Sequence, residues 1–391
     1  MGRLTLHRHG VVEDGEFAYG QRYRMRDDAV AMNPATMPLG TTTMRLPPRP
    51  LRDGGALNAT LEDAMPDAWG QRVLRDQHEG RALSAAQMLL ATNAERVGAL
   101  VFSTTVDMPE PVVPPAAAST SLDALAEATR RLDYGMEVSP AMKRLLHGGG
   151  SLGGARPKAP LMLNNLEWIA KFPAQGDDID VPLVEAGTLT LAAECGIRVP
   201  EHRLERIGHI HALLVRRFDR PGDGRRTHYL SAAAITDSPY GTDQGSYVAL
   251  VEQLRLHGAQ VANDLAELYR RLVFNILIDN SDDHVKNHGV LHVGQNRYCL
   301  APAFDLVPQR THLGYTGMNI NDGENHAHLD AVRAVAPHFG LSAAKAADCI
   351  AAIRTTIHTR HAAIFSQWGA KADLLRRITL CFEKQWLQVS T

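Results

Sequence analysis

The stretch DNSDDHVKNHGVL, Asp279 to Leu291, decides how this chain of 391 residues is read. It follows NDLAELYRRLVFNILIDN, where Leu265, Leu268, Leu272 and Ile276 recur at helical spacing behind Asn263, the predicted N-cap. A buried helix therefore runs into a polar loop dense in carboxylates, carboxamides and imidazoles. Two chemistries compete for that loop. His284, His288 and His292 stand four residues apart and would align on a helix as metal ligands. Gly289 and the alternating VLHV imply that the chain has already left the helix, which separates the imidazoles and favours a site built on Asp282 and Asn287.

From Asp282 to Asn287 the spacing is D-x-x-x-x-N. Protein kinases use that spacing in their catalytic loop, where the aspartate receives the substrate hydroxyl proton and the asparagine holds Mg²⁺. Asp283 is a second candidate base, and only the distance to Asn287 favours Asp282. Downstream, NRYCLAPAFDLVP predicts a short strand that delivers Asp305 where kinases place their second Mg²⁺-binding aspartate. Upstream, HGGGSLGGARPKAP, His147 to Pro160, gathers five glycines around Ser151. No Walker A register runs through it, and a Rossmann loop would follow a strand rather than the helix predicted for SPAMKRLLHGGG. The glycines open a hairpin, PLMLNNLEWIAKFP, turning at Asn164-Asn165. Its backbone N–H groups, including those of Gly153 and Gly154, are placed to meet ATP phosphates. Lys171 lies opposite the apolar face of Trp168, Ala170 and Phe172, and Glu185 begins a helical segment that would orient its ammonium.

Composition bounds the setting. Forty-one cationic and 43 anionic residues leave a net charge of −2, which excludes a whole-chain field for nucleic acid or membrane. The four cysteines are widely spaced and read as reduced thiols. Neither a signal peptide nor a membrane span is evident, so the expected location is the cytoplasm, with no membrane partner. Four regions are expected: a β-rich part at 1–107, a Pro-rich linker at 108–121, a lobe with the glycine-rich loop at 122–245, and a helical lobe with the catalytic loop at 246–391. Within them GEFAYGQRYRM alternates like strands, TLEDAMPDAWGQRVLRDQ is helical around a turn after Pro66, and Ser121 is placed to cap the helix that ends at Gly135. HRLERIGHIHALLVRRF is a hairpin turning at Gly208.

These pieces in this order resemble the HipA family of serine/threonine kinase toxins from bacterial toxin–antitoxin modules. The resemblance rests on GGSLGGARPKA, WIAKFP, RRFDR, NSDDHVKNHGVL and LAPAFDLVP, with EDAMPDAWGQR and GALVF nearer the start, and spans nearly the whole chain. It implies an α+β, divergent protein-kinase-like fold, with a mixed α/β N-terminal portion and a mostly helical C-terminal portion. Carried over by position, Ser151 matches the autophosphorylated serine, Lys171 the ATP-binding lysine, Asp282 the base, and Asn287 and Asp305 the Mg²⁺ ligands. The cofactors implied are ATP and Mg²⁺. The implied partners are a separately encoded helix-turn-helix antitoxin, operator DNA reached mainly through it, and a protein substrate such as an aminoacyl-tRNA synthetase. Phosphorylation of Ser151 would inactivate the kinase by driving an unpacked loop toward Arg156, Lys158 or the Arg216, Arg217 and Arg220 cluster. The competing functions are a small-molecule kinase of the same fold, a non-catalytic corepressor, and a metal-dependent phosphohydrolase using the histidines.

Overall fold

A computed structural model describes residues 1–9, 12–46, 58–92, 95–105, 121–238, 245–309 and 314–386. The linker expected at 108–121 lies outside these residues except for Ser121. The described residues form three antiparallel sheets with helices between and after them, the mixed architecture that the sequence implies.

The first sheet joins Gly2–His9, Val12–Tyr19 and Met44–Leu46 in chain order. Its alternation buries Phe17 and Tyr19 against Met32, Met37, Leu61 and Leu89. The Tyr19 hydroxyl donates to the Met37 carbonyl at 2.6 Å and accepts from the Met32 N–H at 2.7 Å, so its polar tip is satisfied inside the apolar cluster. The strand character read in GEFAYGQRYRM stops at Tyr19. There the Gly20 N–H closes on the Met1 carbonyl, and Gln21–Arg24 winds into a single helical turn. Ala59–Asp63 and Ala68–Gln77 are the helices expected around Pro66.

The second sheet has the order Lys158–Leu163, Leu166–Lys171, Ile210–Arg216, His202–Ile207. Asn164 and Asn165 both take positive φ, 51° and 59°, which is the type I′ turn that a two-residue hairpin favours. That turn sets Lys158 opposite Lys171. On one face Trp168, Ala170 and Phe172 pack against Leu125 and Ala126 of the helix Leu122–Asp133. On the other, Leu213 and Val215 join the core that contains the helix Val181–Glu194. Ser121 occupies the N-cap position but makes no cap bond, because its hydroxyl turns to Asp123 at 3.3 Å.

The carboxy-terminal half gathers Tyr247–His257, Val261–Leu277, Ala343–Gln367 and Ala372–Trp386 around one core that includes Leu268, Leu272, Ile276, Ile353 and Ile357. Asn263 is not the cap of the second of these helices. The Ala259 N–H bonds the Tyr298 carbonyl at 2.7 Å, which pins the chain early, and the helix starts at Val261 behind Gln260. A third sheet, Arg297–Leu300, Gly289–Gly294 and Tyr229–Ser231, carries the chain out of the polar loop and toward Asp305.

The glycine-rich segment is packed, contrary to the unpacked loop that its composition suggests. His147–Ser151 forms a 3₁₀ turn against the helix Ala68–Gln77. A Cβ on Gly70 would stand 2.8 Å from the Gly150 carbonyl oxygen and 2.7 Å from Pro66 Cβ, so these two segments meet backbone to backbone. We expect Gly70→Ala to lower the unfolding free energy by about 1–3 kcal/mol through overpacking, measured by urea denaturation. Helix propensity alone would raise it, so an equal or greater stability contradicts this contact.

Candidate active site

Lys171 ends an inner strand of the second sheet, and the pleat that buries Ala170 and Phe172 turns it to the opposite face. There its Nζ lies 2.5 Å from Glu185 Oε1 and also bonds Asp305 Oδ1. Glu185 sits in the second turn of a helix that is apolar on nearly every side, started by an Asp180 carboxylate that accepts from the Leu183 N–H at 3.1 Å. Burial alone would favour loss of the Lys171 proton, but the Asp305 and Glu185 carboxylates outweigh it and raise the ammonium above its ordinary pKa. Burial would likewise raise Asp305, yet Lys171 and Lys158 hold it ionised, well below the usual carboxylate range. For Glu185 burial prevails over Lys171, and its pKa is pushed up.

Asp305 has φ of 55°, a left-handed conformation that costs a non-glycine residue on the order of 1–3 kcal/mol. The surroundings impose it. Ala303 and Leu306 are buried, the Ala303 N–H bonds the Arg198 carbonyl at 2.8 Å, and the Gln309 N–H bonds the Asp279 carbonyl at 3.0 Å. Lys158, opposite Lys171 in register, is also buried and donates to the Gly153 carbonyl at 2.6 Å. Burial lowers its pKa. Gly154 has φ of 88°, and a Cβ there would strike the Lys158 ammonium. Gly153 and Gly154 thus both sit against the Lys158 ammonium.

In the polar loop the two adjacent aspartates part company. Asp283 is 1% exposed and accepts from the Tyr247 hydroxyl and from His288 Nε2, the latter at 2.7 Å. Asp282 is open to solvent, and Asn287 Nδ2 donates to its backbone carbonyl at 3.0 Å. Surrounding protein raises the Asp282 pKa, helped by the Asp305 and Asp283 charges and opposed by His284 and Arg156. Asp282 and Asp305 are therefore electrostatic neighbours, and Asn287 lies in the same loop as Asp282. The two carboxylates lie in the same region as the paired Lys171 and Lys158.

The histidines do not converge. His284 Nδ1 bonds the Lys286 N–H, His288 serves Asp283, and His292 packs on Tyr298 in a strand. Among the described residues no group of three or more His, Cys, Asp or Glu side chains is arranged to hold a metal. Ser151 is 6% exposed at the end of the 3₁₀ turn. Arg217 and Arg220, expected as docking cations for a phosphoserine, are buried instead. Both bind Asp219, at 2.8 and 2.7 Å, and lie near Glu167. Arg156 pairs with Asp177.

Two residues of this site escaped the sequence reading, and a third, Lys158, was read only as a docking cation for a phosphoserine. Lys158 was legible as a cation, and counting back from the Asn164-Asn165 turn places it beside Lys171. Asp67 and Lys286, which pair at 2.5 Å, are 219 positions apart and gave no local signal.

No helix among the described residues is long and apolar enough to cross a membrane. The family model described as HipA-like C-terminal domain matches residues 150–361. A Sinorhizobium fredii protein named "Putative kinase Y4dM" is 33% identical over 156 residues, covering 36% of this chain and 37% of that protein. A Haemophilus influenzae protein named "Putative kinase" is 27% identical over 181 residues, covering 41% and 52%. The chain thus spans between about a third and a half of the length of these curated relatives. A chain in the solved complex of the Shewanella oneidensis MR-1 toxin–antitoxin system, HipA, HipB and its operator DNA, superposes with a TM-score of 0.70 at 18% identity, over 99% of this chain and 94% of that one. The fold is therefore that of HipA. Because the family match takes in Ser151, Lys171, the polar loop and Asp305, and more than half of the chain, this protein belongs to the HipA-like family.

Proposed function

We propose that this protein is an ATP- and Mg²⁺-dependent serine/threonine protein kinase and the toxin of a toxin–antitoxin module. The observation that carries the reading is the meeting of Lys171, Glu185 and Asp305, from a strand, a helix and a loop, beside the exposed Asp282. ATP is the substrate that supplies the phosphoryl group, and Asn287 and Asp305 are the side chains that would hold Mg²⁺ against it. Lys171, fixed by Glu185, binds phosphate oxygens, with the buried Lys158 alongside. Asp282 accepts the proton of the attacking hydroxyl as its oxygen bonds to the γ-phosphorus and the bond to the ADP oxygen breaks. The raised pKa of Asp282 suits a group that must take up that proton.

The Shewanella complex supports a separate DNA-binding antitoxin as partner, with operator DNA reached through it, and a cytoplasmic setting follows from that role. The protein substrate belongs to translation, as in an aminoacyl-tRNA synthetase. The four regions proposed from the sequence serve as N-terminal part, linker and two lobes.

Asp282→Asn is expected to cut phosphoryl transfer by about 10²- to 10⁴-fold while sparing ATP binding, whereas Asp305→Asn weakens Mg²⁺-dependent binding as well. Asp283→Asn should instead lower stability, since both Asp283 oxygens hold buried donors. Loss of transfer in a fully stable Asp283→Asn, with Asp282→Asn active, would reverse the assignment.

Ser151 is the proposed autophosphorylation site. Its buried position leaves no room for a group carrying about −1.5 to −2 charges, so the modified turn must leave its seat against the helix Ala68–Gln77. Calorimetric titration with ATP should show clearly weaker binding for Ser151→Asp and for the phosphorylated protein. Parental affinity in both would refute the switch.

A further inference from the structure

We infer that Asp67 is a positioning residue that ties the glycine-rich loop to the loop bearing Asp282 and Asn287, so that the amino-terminal segment Asn58–Gln77 braces the nucleotide site from outside. The inference deepens the kinase reading and rests on it for its functional consequence. Asp67 stands at the N-cap of the helix Ala68–Gln77, where an aspartate ordinarily accepts from the N–H groups of its own first turn. Here it makes no such bond. Its Oδ2 accepts from the Gly154 N–H at 2.7 Å, and its Oδ1 accepts from Lys286 Nζ at 2.5 Å. One carboxylate thus spans two loops that are more than 130 residues apart in sequence.

The same helix end holds the glycine-rich loop twice more. The Trp69 N–H donates to the Gly154 carbonyl at 3.2 Å, and Trp69 Nε1 donates to the Lys158 carbonyl at 2.8 Å. Gly154 is therefore held through both its N–H and its carbonyl, directly above the Lys158 ammonium. On the other side, Lys286 immediately precedes Asn287, and the carboxylates of Asp67, Asp63 and Glu62 all favour its cationic form. Asp63 is itself fixed, accepting from the Ser231 N–H at 2.7 Å. Asp67 stays ionised despite its burial, because Lys286 and the Gly154 N–H both favour the charged form. A carboxylate has acceptors for both donors at once, and an asparagine side chain has one oxygen. The height of the loop over Lys158 is then coupled to the placement of Asn287.

Hydrogen exchange of the full chain without nucleotide tests this directly, using Asp67→Asn, Lys286→Met and Lys286→Arg. In Asp67→Asn and Lys286→Met, peptides covering 150–158 should exchange about tenfold faster, the loss expected of one charge-assisted bond, while those within 343–367 stay as in the parent. Lys286→Arg, which keeps the cation, should remain near the parent. In ADP-release assays the first two should raise KM for ATP about tenfold and change kcat less. Unchanged exchange at 150–158 in Lys286→Met overturns the coupling, even if Asp67→Asn proves too unstable to read. Equal acceleration in Lys286→Arg and Lys286→Met overturns it too. Faster exchange at 150–158 in Asp67→Asn and Lys286→Met, with a parent chain that releases no ADP, would keep the brace and discard the kinase reading.

Discussion

A buried ammonium between two carboxylates, Lys171 with Glu185 and Asp305, is the contact on which the rest of this structure depends. Ions withdrawn from water each carry a desolvation cost of several kcal/mol, recovered only with good geometry and additional partners. Lys158 provides part of that recovery as a second cation facing Asp305. The four groups come from two strands, a helix and a left-handed loop residue, so their balance requires all four segments in register. On the proposed reading, Lys171 would bind phosphate oxygens and Asp305 would be one of the side chains that hold Mg²⁺.

The amino-terminal part is joined to this cluster by polar contacts rather than by apolar packing alone. Asp67 and Trp69 clasp the glycine-rich loop. A second joint lies at Arg217, Asp219 and Arg220. Arg217 donates to the Glu95 carbonyl at 2.7 Å, Arg220 to the Gly98 carbonyl at 3.0 Å, and Asp219 accepts from the Gly98 N–H at 2.8 Å. Burial lowers the Arg220 pKa to about 10, so it remains charged at neutral pH. The RRFDR motif therefore serves architecture: its buried arginines satisfy backbone carbonyls that would otherwise lose water without compensation.

Local chemistry was legible in the sequence, and long-range pairing was not. The Asn164-Asn165 turn, the pleat around Trp168 and Ala170, and the helix bearing Glu185 follow from periodicity and turn preference, and they place Lys171 correctly. The asparagine spacing singled out Asp282, and in the structure it is Asp283 that is buried, bonded to Tyr247 and His288. What could not be read was why five glycines gather near Ser151. Composition suggested a loop with little to hold it, whereas the contact of Gly70 with Gly150 shows close packing on a helix some 80 residues earlier. Asn263 was misjudged as a cap for a related reason, since the bond between Ala259 and Tyr298 that starts the helix early is a tertiary one.

The most direct measurement is a crystal structure of this chain with Mg²⁺ and a non-hydrolysable ATP analogue. The account predicts phosphate oxygens on Lys171 and Lys158, the metal on Asn287 and Asp305, the contact between Lys171 and Asp305 broken, and the contact between Lys171 and Glu185 kept. A triphosphate bound elsewhere, or seated with Lys171 and Asp305 still paired, would contradict it.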